Sequence, residues 1–190
     1  MFELRASAIP GCLEIQPGIH RDFRGRLVKV FHRESFVKLG LETDFAEEFY
    51  SFSHRGVIRG LHFQSPPMDH VKMVYCVQGE VFDAVLDLRI GSPTYGKTAS
   101  FKLSSDKGNC LYIPKGLAHG FCATSELATL VYKVSSVHSP QHDSGILWNS
   151  VDIDWPTKLP AVSERDSSLK PFSDFESPFR IGMHEVLNKQ

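Results

Sequence analysis

Apolar and polar residues alternate along most of this chain in short runs, with the period of two that marks a half-buried strand. The clearest runs are Val71 to Val77 and Val81 to Leu88, and Gln78-Gly79-Glu80 between them has hairpin-turn chemistry. Leu13 to Ile15, Leu27 to Phe31, Lys97 to Leu103, Cys110 to Pro114, Gly120 to Ala123 and Ala128 to Val134 read as further strands. His20 to Gly25 reads as a polar loop, and Asp44 to Ser53 mixes aromatics with acids. Glu34 to Leu39 predicts a brief helix stopped by Gly40, and Ile181 to Asn188 a short final one. From Asp154-Trp155-Pro156 onward the alternation fades into a polar tail expected to wrap the outside. Dense short strands with Gly and Pro between them predict an all-β sandwich or barrel.

Composition narrows the partners. The 190 residues suit a single domain, 1–190, long enough to bury a core. A formal charge of −1 gives no global attraction for nucleic acid, so any phosphate binding has to be local. No apolar run is long enough to span a bilayer, which argues against a membrane protein. Met1 to Gly18 has neither a basic nor an apolar export region, so the expected location is cytoplasmic. Cys12, Cys76, Cys110 and Cys122 form no C-x-x-C pair and read as buried, reduced thiols.

The chemistry concentrates in Arg59-Gly60-Leu61-His62-Phe63-Gln64 and, past a Pro66-Pro67 turn, Lys72. Histidine moves protons near neutrality, arginine forks onto phosphate oxygens, and lysine neutralises a developing oxyanion. Strict alternation sets Arg59 and His62 on opposite faces unless Gly60 allows a bulge. Asp83 lies in an apolar run and needs a partner, for which His62 or Lys72 are the candidates. His54, His70, His138 and His142 read as surface or loop residues.

Gly108, Pro114, Gly116 and His119 stand as G-x5-P-x-G-x2-H, which resembles the second signature of the cupin barrel. The first cupin signature is broken, because Gln64 stands where the second histidine of H-x-H belongs. His62 and His119 are too few ligands for a metal, so none is expected.

A wider set of residues carries a specific resemblance. It comprises Arg59 to Gln64, Lys72, Gly79 to Asp83, Asp87-Leu88-Arg89, Ser92 to Gly96, Ile113 to Phe121, Tyr132-Lys133, Leu147-Trp148-Asn149 and Ser163 to Asp166. Over roughly Ile9 to Asp166 the chain resembles the dTDP-4-dehydrorhamnose 3,5-epimerase family. The resemblance implies a cupin-type jelly-roll β-barrel with short helices and a C-terminal tail. It also implies a homodimer without a cofactor, inverting C3, C5 or both of a nucleotide-linked 4-keto-6-deoxyhexose in deoxysugar and surface-polysaccharide biosynthesis. In the family pattern His62 is the base and Asp166 orients it, Lys72 sits at the enolate oxygen, and Tyr132 is the acid on the opposite face. Substrate contacts fall on Arg24, Arg26, Glu47, Phe49, Arg59, His119, His138, Asp143 and Arg165, with Asp83 and His119 supporting the interior.

The chain departs from the family pattern chiefly where the nucleotide binds. Glu47-Glu48-Phe49 replaces a usual Gln-x-Asn, Arg26 an aromatic, Lys29 a glutamate, His138 a tyrosine and Ser150 an aspartate. Arg26 and His138 still stack on a base, which opens CDP or GDP as well as dTDP, and Glu47 with Phe49 opens a C3-only inversion. A non-catalytic sugar-nucleotide-binding cupin, a metal cupin oxygenase and a keto-shifting isomerase are the rival readings.

Overall fold

The computed structural model describes residues 2–181, so the helix expected beyond Ile181 lies outside the described residues. The first half holds β1 (Glu3–Ala6), β2 (Leu13–Gln16), β3 (Ile19–Asp22), β4 (Gly25–Val28), α1 (Arg33–Lys38), β5 (Glu47–His54), β6 (Ile58–Gln64) and β7 (Lys72–Gln78). The second holds β8 (Glu80–Asp87), β9 (Thr98–Ser104), β10 (Cys110–Ile113), β11 (Leu117–Ala123), β12 (Leu127–Val134), β13 (Asp143–Gly145) and α2 (Glu164–Ser167).

The strands form a six-stranded sheet, β1-β2-β10-β7-β12-β5, facing a five-stranded one, β13-β6-β11-β8-β9. This is the jelly-roll arrangement, but as two open sheets rather than a closed barrel. Near the opening, β5 and β6 are joined by side chains: Arg59 Nε donates to Ser53 Oγ at 3.1 Å and Nη2 to the Phe52 carbonyl at 3.2 Å. Among the described residues no helix is long and apolar enough to cross a membrane.

Burial follows the alternation. Along β12, Ala128, Leu130, Tyr132 and Val134 point between the sheets. The first three meet Val74, Val85, Leu111 and Phe121 in the central core. β11 is buried at every position because the C-terminal segment covers its outer face, so its apolar run does not alternate. All four cysteines are free and buried, as expected.

Some elements differ from expectation. His20 to Gly25 is no loop but the tip of a hairpin, in which β3 and β4 form their own two-stranded sheet. The strand expected over Leu27 to Phe31 ends at Val28. Phe31 instead packs its ring edge-on to the buried Phe36 of α1, centroids 4.9 Å apart. Burying a ring of that size stabilises by about 2 kcal/mol. β1 and β13 carry too few apolar residues to be read from sequence. The tail does wrap the outside, through bridges Val57 to Ala161 and Ile90 to Arg180. It also carries α2 back to the mouth of the sandwich.

Candidate active site

β6 and β7 lie in opposite sheets, so the connection through Pro66 and Pro67 sets His62 and Lys72 on facing walls. Between those walls is a cavity of about 330 Å³.

A bulge puts both Arg59 and His62 on the cavity side. His62 opposes His119 and Arg59 opposes Phe121, so three steps along β6 match two along β11. Gly60 has φ +132°, and a Cβ there would lie 2.5 Å from Gly120 Cα. Two glycines facing each other let the backbones close up, which resolves the conflict between alternation and chemistry.

His62 Nε2 donates to Asp166 Oδ1 at 2.7 Å, leaving Nδ1 without a hydrogen-bond partner among the described residues. Asp166 Oδ2 accepts from the Gly60 N–H at 3.0 Å. Burial opposes the Asp166 charge, but His62, the Gly60 amide and Arg165 outweigh it and hold the carboxyl below its ordinary range. Asp166 reaches this place because Ser163 caps α2, its Oγ accepting the Asp166 N–H at 3.1 Å. Beside them Arg165 Nη2 donates to Asp143 Oδ2 at 2.7 Å, and its Nη1 lies 3.4 Å from His62 Nε2.

Tyr132 lies on the facing sheet, its hydroxyl 3.1 Å from Ser51 Oγ. Phe49 stacks on its ring, centroids 4.7 Å apart and planes 11° from parallel. Burial pushes the phenol well above its ordinary pKa, so it stays protonated. Burial lowers the Lys72 ammonium to about 8, against the pull of Asp83 and Asp143. At neutral pH Lys72 is still a cation, a good match for an oxyanion.

Asp83 is partnered by neither His62 nor Lys72. His119 Nε2 sits 2.8 Å from Asp83 Oδ2, diagonally across the β8–β11 ladder. Burial raises the Asp83 pKa and lowers that of His119, so the pair is disfavoured as two ions in this interior. His62 and His119 are each taken by a carboxylate, and no group of three or more potential metal ligands occurs among the described residues.

Glu47, Phe49, Arg59, His119, His138, Asp143 and Arg165 line the cavity with the four proposed catalytic residues. The Glu47 carboxylate accepts the His138 backbone N–H at 2.7 Å, tying the mouth loop to β5. Arg24 and Arg26 do not line it. Arg24 pairs with Asp22 at the hairpin tip, and Arg26 with Asp106. Ser51, Phe63, Gln64, His70, Val134 and Ser163 line it as well, outside the expected set. Ser51 carries no sequence signal; His70, expected at the surface or in a loop, stands in a loop but faces the cavity. Its position two residues before Lys72, on the same side of an extended chain, was the available clue.

A family model described as dTDP-4-dehydrorhamnose 3,5-epimerase matches residues 6–174. A dTDP-4-dehydrorhamnose 3,5-epimerase of Shigella flexneri is 40% identical over 169 residues, 87% of this chain and 93% of the relative. A dTDP-4-dehydrorhamnose 3-epimerase of Streptomyces niveus is 41% identical over 87% of this chain and 81% of its own. The crystal structure of a dTDP-6-deoxy-D-glucose-3,5-epimerase from Legionella pneumophila, in complex with dTDP-4-keto-L-rhamnose, gives a TM-score of 0.91. It is 31% identical and covers 96% of this chain and 100% of that one.

Proposed function

This chain belongs to the dTDP-4-dehydrorhamnose 3,5-epimerase family and is an isomerase acting on a nucleotide sugar, and from that premise we propose that His62, Asp166, Lys72 and Tyr132 perform the inversion. The observation that carries this is the 2.7 Å bond from His62 Nε2 to Asp166, which frees Nδ1 to act as a base.

His62 Nδ1 takes the hydrogen from the carbon beside the C4 ketone, and the C–H electron pair moves into the ring as an enolate. The negative charge settles on the C4 oxygen, where Lys72 meets it. Asp166 stabilises the imidazolium that forms. Tyr132 then delivers its phenolic proton to the same carbon from the opposite face, and the electrons return to the ketone. Exchange with solvent restores His62 and Tyr132. No electron leaves the substrate, so base, acid and oxyanion cation suffice.

C3 is inverted, and C5 also where the sugar turns so that it meets the same base. A C3-only outcome is the second reading, favoured by Phe49, whose stacking holds the Tyr132 ring in one place. The diphosphate lies against Arg59, and the base reaches toward His138. A homodimer supplies Arg24 and Arg26. The hairpin carrying them is exposed, with Phe23 97% accessible at its tip, and a second copy would deliver them to a cavity their own chain does not let them line.

The test is incubation in heavy water with dTDP-, CDP- and GDP-linked 4-keto-6-deoxyhexoses, read by mass and proton NMR. Deuterium at C3 and C5 indicates two inversions, and at C3 alone one. The reacting nucleotide identifies the base the rewritten pocket takes. His62→Ala is expected to abolish exchange while nucleotide binding survives; undiminished exchange in that variant removes His62 as the base.

A further inference from the structure

His70, in the connection between β6 and β7, has no part in this mechanism. It lines the catalytic cavity and a second one of about 10 Å³, shared with Lys72, Phe63 and Gln64. That volume is about the room one water needs.

Counting protons fixes the ring. Gln64 Oε1 accepts from the Ser139 N–H at 2.6 Å, so Gln64 Nε2 carries both amide hydrogens. The carbonyls of Met68 at 2.8 Å and Val137 at 3.2 Å take them. The Ser136 hydroxyl also donates to the Met68 carbonyl, at 2.7 Å. His70 Nδ1 lies 3.3 Å from both Ser136 Oγ and Gln64 Nε2. With those hydrogens committed elsewhere, Nδ1 carries its own and donates to Ser136 Oγ. Nε2 is then a bare lone pair, buried and without a partner. Burial first, and the Lys72 charge next, hold the ring pKa down to about 3, so it is neutral at working pH. Lys72, lining the same two cavities, makes no side-chain hydrogen bond or ion pair among the described residues.

We infer that His70 is a positioning residue for Lys72: through one water in the small cavity its Nε2 lone pair holds the ammonium and aims the cation at the substrate. A neutral acceptor suits this task because it orients the charge without cancelling it, as a carboxylate would. The catalytic consequence rests on the proposed role of Lys72 at the C4 oxygen; the contact itself does not.

The experiment follows the Lys72 ε-amine by NMR in full-length protein with lysine-selective labelling, the signal assigned by its loss in Lys72→Arg. His70→Asn keeps a donor for Ser136 but deletes the Nε2 position, and His70→Gln restores an acceptor at the same reach. Asp83 and Asp143 face Lys72, and Lys115, His119 and His138 act on His70. All five are unchanged in both variants. Losing the acceptor disfavours the ammonium, so in His70→Asn the midpoint is expected to fall by roughly 0.5 pH unit or more. In His70→Gln it returns to the wild-type value near 8. Activity is lost as pH rises through that midpoint, so the alkaline limb of kcat for deuterium exchange moves down with it. A fall of about 0.5 pH unit lowers kcat about 1.5-fold at pH 7.5 and about threefold on the alkaline limb, with little change in KM. An unmoved midpoint in folded His70→Asn overturns the inference. A moved midpoint with unchanged exchange upholds the contact and removes Lys72 from the chemistry instead.

Discussion

At the scale of single residues, the site is a set of groups whose protonation is set by what surrounds them. Asp166 is held ionised by its hydrogen bonds, while Tyr132 is held protonated by burial. A histidine partnered by a carboxylate on one wall and a protonated phenol in an apolar stack on the other suit the base and acid proposed for inversion. Tyr132→Phe is expected to slow net inversion at least tenfold more than it slows hydrogen removal, measured as epimer formed against deuterium gained. Equal loss of both together with weaker substrate binding makes Tyr132 a binding residue. That His62, Lys72, Tyr132 and Asp166 meet in one cavity was legible because each sits in a quotable motif. His70 was not, because nothing local distinguishes a loop histidine facing solvent from one facing a cavity. The partner of Asp83 was not legible either. Its burial was readable from the apolar run, but the choice of His119 depended on which strands lie side by side.

At the scale of elements, the β6–β11 ladder carries the decisive irregularity. Gly60 and Gly120 give up side chains so that the two backbones can close, and the extra residue in β6 turns Arg59 inward beside His62. Gly60→Ala would put a Cβ 2.5 Å from Gly120 Cα, at a φ that side chains avoid. It is expected to cost about 3 kcal/mol or more, read as a lower denaturant midpoint, with activity lost out of proportion in the fraction still folded. An alanine variant of wild-type stability would mean the bulge does not set the strand. The need for such a bulge was visible in sequence, since alternation and chemistry disagreed at Gly60. The β3–β4 hairpin was hidden because its centre, His20 to Arg26, is polar apart from Phe23, and an exposed two-stranded ribbon needs no apolar alternation.

At the scale of the whole molecule, two sheets and a returning tail converge on one mouth. α1 covers part of the outer face of the six-stranded sheet, but on β5 and β7 Tyr50, 73% accessible, and Val77 stay exposed. Apolar side chains left exposed on one sheet face suit a second copy. Sedimentation velocity is expected to find a dimer, and Tyr50→Asp with Val77→Asp to shift it to monomer while lowering kcat/KM as Arg24 and Arg26 are withdrawn. A wild-type monomer of 21.4 kDa would refute that arrangement. The sequence by itself determined the strand content, the jelly-roll class, the buried thiols and most of the residue types that line the cavity, because alternation and short motifs are local properties of the chain. Only the tertiary structure decided that the sheets stay open, that Asp83 pairs with His119, and that Arg24 and Arg26 stand outside their own cavity. Those outcomes depend on which surfaces pack together, and packing is a property of the folded whole rather than of any stretch of it.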